Sequence, residues 1–406
     1  MKKQKDNSLE GLRGIASLVV VIGHFIFVFL PYLATLYYPA AGAAPRNRFE
    51  AVLAYPPFSL LFSAEAAVCV FFVMSGYVLT TKYFSTGDVA AVQSAAAKRY
   101  VRLALPSFAS VALAWCLWRT GAIQTQQAGA IGVAGWVPSW YVGPFSVLSV
   151  FVDGLIGAPL FSRTALNPPL WTIQVELIGS ILLFSMMALF GRRPLLLAAW
   201  FLFFSIVLGF QKPNAMFYLS FLVGALLNPA RDWLRRHEAL SVVMVALGLV
   251  GVAYNEFHAF AALRSVPLPN WTPLGPDFNE NPRLVWNSIG AMLLVGGTLG
   301  SRHVGAVFAA RVPVFLGKIS FSMYVVHMPL LMSVGLRASA VFQSFGISYA
   351  NSAALAFVVY VAAVILVSAV FYRLVDAPSM RLADRVGARL WRAAPAKVEE
   401  RQAISG

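Results

Sequence analysis

The chain has 406 residues, of which 59% are hydrophobic and 12% charged, about half the charge of a soluble domain. A formal net charge of +15 would suit nucleic acid if the basic residues shared one face. They sit instead in short caps between apolar runs, which excludes that partner and reads as orientation in a bilayer.

A membrane helix needs about 20 mostly apolar residues. In chain order such runs fall at 14–33, 58–80, 102–119, 170–190, 194–210, 214–228, 239–255, 284–300, 313–336 and 350–372. The expected fold class is therefore an all-α polytopic membrane protein with about ten transmembrane helices. The first run is long enough to span and has no clear small-residue cleavage site, so it reads as a span rather than a signal peptide. A further stretch, 144–160, carries Asp153 and two glycines and reads as interfacial or re-entrant. With the N-terminus in the cytoplasm, 22 Lys and Arg fall in inner caps and 8 in outer loops, with Lys318 inside a span. This asymmetry favours ten spans with both termini cytoplasmic. An eleventh span at 144–160 would reverse every later loop.

Residues 1–375 read as the membrane domain, and 376–406 as a basic, Ala-rich cytoplasmic tail. The longest connections, 34–57, 120–169 and 256–283, fall outside, and ordered loops on one face commonly build a binding site. No repeat is visible at the motif level, which weakens a transporter made of duplicated halves. Cys69 and Cys116 lie in apolar runs without metal-ligand spacing, and read as packing residues.

Ionisable residues within spans are costly and are functional candidates. Arg13 and His24 are eleven residues apart, so they share one helix face about 16 Å apart along the axis. Arg13 falls near the cytoplasmic surface, where an interfacial anchor would also sit. His24 falls near mid-membrane, where a histidine bonded between helices is the plainer reading. In Phe71-Phe72-Val73-Met74-Ser75-Gly76-Tyr77, Ser75 and Gly76 permit close helix approach. Arg99 and Arg102 face the same way on a helix and suit phosphate, or serve as ordinary inner caps. Trp171 and Glu176 belong to the block from Asn167 to Glu176. Glu176 lies about two turns into its span from the outer side, and there needs a partner or a proton. Tyr324 and His327, three apart on one face, suit either a shared cavity or bonds between helices.

Taken in order, these blocks resemble the acyltransferase family 3 membrane proteins, which O-acylate sugars and related molecules. The resemblance runs from Leu9 to about residue 330. It rests on the opening Leu-Arg-Gly with Arg13 and His24, the Phe-Phe-Val-Met-Ser-Gly-Tyr block, Arg99 and Arg102 before Pro106, Leu-Trp-Thr-Ile-Gln-Val-Glu, and the run Gly317 to His327. Val375-Asp376-Ala377-Pro378 also fits. Met74 stands where leucine is usual, and an extra residue separates Arg102 from Pro106.

The resemblance implies a ten-helix domain in the cell (plasma or inner) membrane. It would take an acyl group, acetyl by default, from cytoplasmic acyl-coenzyme A (acetyl-CoA). The acceptor would be a hydroxyl of an extracytoplasmic or lipid-linked saccharide. It makes His24 essential and gives Arg13, Arg99 and Arg102 to the donor. Acyl-CoA is then a substrate, with no bound cofactor and no metal. Some relatives append a hydrolase-like domain; about thirty residues after the last span leave no room for one here.

In the mechanism expected, the arginines hold the donor phosphates, the pantetheine arm lies along the first helix, and His24 acts as general base. Glu176 would orient His24 as a triad carboxylate does; a covalent acyl-histidine is the alternative chemistry. Trp136, Trp140 and Trp271 would stack on sugar rings or anchor at the interface. The rival reading is a transporter or flippase for a saccharide or anionic substrate, which would move its cargo without consuming acyl-CoA.

Overall fold

The computed structural model describes residues 6–39, 42–191, 193–209, 215–269 and 281–392. Trp271 and the end of the tail lie outside them. The described residues are mostly helical and contain no strand. Ten helices occupy the predicted positions: α1 (Asn7–Phe29), α2 (Ala64–Thr86), α3 (Val89–Arg119), α4 (Trp171–Phe190), α5 (Pro194–Gly209), α6 (Ala215–Arg236), α7 (Glu238–Ala253), α8 (Pro282–Gly300), α9 (Arg311–Ser344) and α10 (Tyr349–Phe371). Six of the described helices are long and apolar enough to cross a membrane alone, or seven if α8 and the short helix Arg302–Phe308, bent by 102° at their junction, form one span. The helix at α5 and that at α7 have only 16 residues each, and α6 ends on Arg235 and Arg236.

Helix ends follow local chemistry. The Asp6 side chain accepts from Ser8 N (3.2 Å) and caps α1. Gly87 ends α2 with φ 73°, and Asp88 caps α3 through Ala90 N (2.9 Å). This tight turn starts α3 at Val89, thirteen residues before the apolar run that predicts it. The Ala-rich stretch before Arg99 is a good helix former without being an apolar span.

Side-chain contacts fix relative directions. α1 and α9 run parallel and in register: Ser17 donates to the Ser320 carbonyl (2.9 Å), and the His24 ring lies 4.9 Å from that of His327, both at an offset of 303 residues. α2 and α6 also run parallel, through Phe72 on Phe217 and Asn228 on Thr80. α3 and α4 are antiparallel: Arg99 meets Glu176, while Ser110 meets Asn167 just ahead of α4. So are α7 and α8, where Gly251 abuts Gly290 and Ser241 abuts Gly300. All four agree with strict alternation of direction from α1 to α10.

Two of these crossings need glycine. A Cβ on Gly317 would stand 2.0 Å from the Glu10 carbonyl oxygen, and one on Gly76 would stand 2.0 Å from that of Phe221. The close approach of the α2 backbone falls at the glycine that permits it in the sequence.

A short helical segment, Val147–Phe161, takes up most of the stretch 144–160. It descends along α3: Phe145 accepts from Trp115, Phe151 packs on Phe108, and Leu155 accepts from Tyr100. It turns back at Ser162 (φ 55°), with Asp153 and Arg163 paired at 3.0 Å across the turn. The segment thus runs alongside α3 and doubles back before the antiparallel α4 begins.

The tail after Asp376 continues as helix α11 (Ala377–Arg392). It folds back on the first turns of α3 through Lys98–Asp384 (2.8 Å) and the contact of Gly387 with Ser94. Large apolar side chains such as Leu195, Leu247, Val358 and Leu366 remain exposed on the bundle, as a lipid-facing surface requires.

Candidate active site

Between α1, α2, α3, α4, α9 and the α10–α11 junction lies a cavity of about 310 Å³. Charged side chains line one part of it, Val68, Phe71 and Leu103 give it apolar walls, and Thr172 and Tyr324 also line it. Arg13, Arg99, Arg102 and Lys318 supply the cations, and Glu10, Glu176 and Asp376 the carboxylates.

Each arginine is already engaged. Arg13 donates to Glu10 Oε1 (2.6 Å) and to the Gly317 carbonyl (2.9 Å). Arg99 pairs with Glu176 and donates through Nε to Ser180 Oγ (3.0 Å). Ser75 donates to the same Glu176 oxygen (2.8 Å). Arg102 donates to Asp376 Oδ1 (2.5 Å) and lies over the Phe321 ring (5.2 Å). Lys318 sits 5.4 Å from the Tyr372 ring centre. Because α3 starts early, Arg99 lies about three turns inside it and meets Glu176, which enters on the antiparallel α4. Arg99 and Arg102 share a face, so their two ion pairs stack on successive turns.

The Tyr324 hydroxyl donates to the Pro169 carbonyl (2.7 Å) and lies 2.7 Å from Thr172 Oγ1. Asn167 Nδ2 donates to Ser110 Oγ (3.1 Å) and the Val325 carbonyl (2.8 Å), which ties α3 and α9 to the start of α4. Behind Tyr324 stands His327, with ring centres 5.8 Å apart, and beyond it His24. The Nδ1 of His24 lies 2.9 Å from the Val20 carbonyl, and that of His327 lies 2.7 Å from the Tyr324 carbonyl. A carbonyl only accepts, so Nδ1 carries a proton in both rings, and in the neutral ring Nε2 keeps its lone pair. The Nε2 of His327 is buried and has no hydrogen-bond partner among the described residues.

Of the expected site residues, Arg13, Arg99, Arg102, Ser75, Glu176 and Tyr324 come together in one cavity. His24 and His327 form a pair one ring beyond it. Trp171 packs on Phe217 (5.6 Å) instead of lining the cavity. The carboxylate expected to orient His24 meets Arg99 and Ser75, and the ring against His24 is His327. Thr172, Lys318 and Asp376 line the cavity without having been assigned a role from the sequence, although each lies in one of the blocks quoted there: Thr172 in Leu-Trp-Thr-Ile-Gln-Val-Glu, Lys318 in the run from Gly317 to His327 and Asp376 in the closing Val-Asp-Ala-Pro.

A family model described as an acyltransferase domain matches residues 6–373. The chain belongs to this acyltransferase family. It is an acyltransferase enzyme, which sets aside the transporter reading. Among curated proteins it is 26% identical to "Acyltransferase R4" of Phoma sp. (strain ATCC 20986 / MF5453), over 93% of this chain and 95% of the relative. It is 24% identical to "Acyltransferase clz18" of Cochliobolus lunatus, over 93% and 94%. It is 23% identical to "O-acetyltransferase PaAT-1" of Phomopsis amygdali, over 80% and 72%. No solved structure matches it significantly. The family match covers α1 to α10 and every residue of the cavity named above except Asp376.

Proposed function

We propose that this acyltransferase is embedded in the cell membrane by ten crossings with both termini in the cytoplasm. It moves an acyl group, acetyl as the first expectation, from cytoplasmic acyl-CoA to a hydroxyl of an extracytoplasmic or lipid-linked saccharide. The observation that carries this reading is the line from a cationic cluster, past apolar walls, to Tyr324 in one cavity, with the His327–His24 pair packed beyond it. Such a line suits a donor with an anionic head and a long neutral arm. Arg13, Arg99 and Arg102 border the donor, and Glu176 holds Arg99 in place. His24 Nε2 takes the acceptor proton as the oxygen attacks the thioester carbonyl, and coenzyme A thiolate leaves. The name of the Phomopsis amygdali relative supports oxygen as acceptor atom and acetyl as cargo.

Two measurements test this. Replacing His24 with Ala should cut transfer from labelled acetyl-CoA by about 10²-fold or more in correctly inserted protein; near-wild-type turnover would sink the assignment. Mass spectrometry of surface and lipid-linked glycans, with and without the active chain, should reveal an added acyl mass. Identical spectra would overturn the saccharide acceptor.

A further inference from the structure

A second cavity, of about 830 Å³, adjoins the first and shares Glu10, Arg13, Met74 and Val78 with it as a common wall. It lies on the face of the bundle that carries the start of α1 and the end of α6. The two cavities differ in charge. The smaller sets four cations against three carboxylates, and its three guanidiniums are each tied to one of those carboxylates. The larger has Arg13, Arg231, Arg235 and Arg302 in its lining against Asp6 and Glu10. Arg235 has only the Leu299 carbonyl as its hydrogen-bond acceptor (3.4 Å) and no carboxylate partner among the described residues. Arg231 binds Asp6 through Nη2 (2.5 Å) and leaves its Nε buried without a partner, as Arg13 does.

We infer that the larger cavity is a binding site for the phosphorylated nucleotide end of the acyl-CoA donor, held by Arg231 and Arg235, while the smaller cavity takes the pantetheine arm. The inference rests on the donor reading above and reassigns the phosphates within it. A guanidinium that already holds a buried carboxylate gains little from a phosphate, because the carboxylate would be left unpaired. Arg235, which holds no carboxylate among the described residues, offers its donors at no such cost, and the Asp6 that Arg231 holds is 25% exposed, so water can take over its charge where the more deeply buried Glu10 and Asp376 would be stranded. The sizes agree: the roomy, cationic chamber suits a bulky polyanion, and the narrow, mostly apolar one suits a thin neutral chain. Arg13, on the shared wall, would touch the donor where the two parts join.

The test uses full-length protein in detergent, with binding of coenzyme A, adenosine 3′,5′-bisphosphate and pantetheine measured separately. Arg235→Gln, which breaks no ion pair, should weaken coenzyme A and the bisphosphate by about tenfold or more and leave pantetheine unchanged. R231Q/R235Q should weaken both further, and melting temperature and gel-filtration profile identify any variant that fails to fold. If both variants bind coenzyme A and the bisphosphate as the wild type does, the inference is overturned. It is overturned equally if added phosphatidylglycerol, rather than the bisphosphate, is what the arginines retain. If the wild type binds no coenzyme A at all, the donor reading itself fails.

Discussion

Arg99 and Glu176 are each exposed by less than 15%, so neither tolerates the loss of the other. Glu176→Gln should destabilise the protein by about 3–5 kcal/mol, because it strands a buried guanidinium. A double replacement of Arg99 and Glu176 by methionine should recover much of that stability, since the costly charge is gone, yet remain impaired in transfer. Thermal unfolding in detergent beside a turnover assay checks both; equal stability of the single and double variants would refute the pairing argument. At this scale the sequence is readable one residue at a time. Arg13, His24, Arg99, Arg102 and Glu176 stand out because charge within a span is expensive. Their partners do not stand out. Depth alone puts Glu176 beside His24, because both fall in the outer half of their spans. Spacing alone allows Arg99 to be an inner cap, since the polar helix ahead of it carries no apolar signal.

Helices meet in this bundle where side chains vanish. Gly317→Ala would push a methyl group to within 2.0 Å of the Glu10 carbonyl and drive α1 from α9. The expected cost is about 1–3 kcal/mol, with loss of transfer, because the same crossing aligns His24 with His327. Gly129→Ala, in a position with open space around it, is the control and should melt as the wild type does. The α11 helix offers a second test. Asp376→Asn removes the charge opposite Arg102 and should lower the melting temperature; an unchanged midpoint would show that α11 is held by Lys98 and packing alone. The amphipathic nature of 377–392 is within reach of the sequence, but its docking on α3 is not, because that surface exists only once α3 has begun at Val89.

For the whole molecule, direction is the testable quantity. Parallel α1 and α9 require an even number of crossings from the start of one to the start of the other. The proposed arrangement, with eight crossings before α9 and a returning segment at Val147–Phe161, would satisfy this. Single cysteines at Ser139 and at His237, introduced after replacing Cys69 and Cys116, should react with an impermeant reagent from opposite sides of the membrane, Ser139 from outside. Labelling of both from one side would overturn the ten-crossing arrangement. The positions of the ten helices are legible from apolar runs, the early start of α3 excepted, and the interfacial or re-entrant reading of 144–160 comes from Asp153 and its two glycines, with charge asymmetry weighing against an eleventh span. Membership of the family is legible from the order of the blocks. The two-chamber division is not, because Arg231 and Arg235 belong to no block and acquire meaning only where α6 ends beside α1.

Tyr324 is pinned at both ends, its backbone carbonyl by His327 and its hydroxyl by Pro169 and Thr172. If the donor lies as proposed, a ring so fixed would act as an end-stop on a gauge whose zero is Arg13. A donor arm of constant length would then present only the first few atoms of its cargo to the histidines. The chain would select acyl groups by measuring them rather than by recognising them, and shortening Tyr324 to alanine should move the preferred donor from acetyl-CoA towards longer acyl-CoAs in a competition assay.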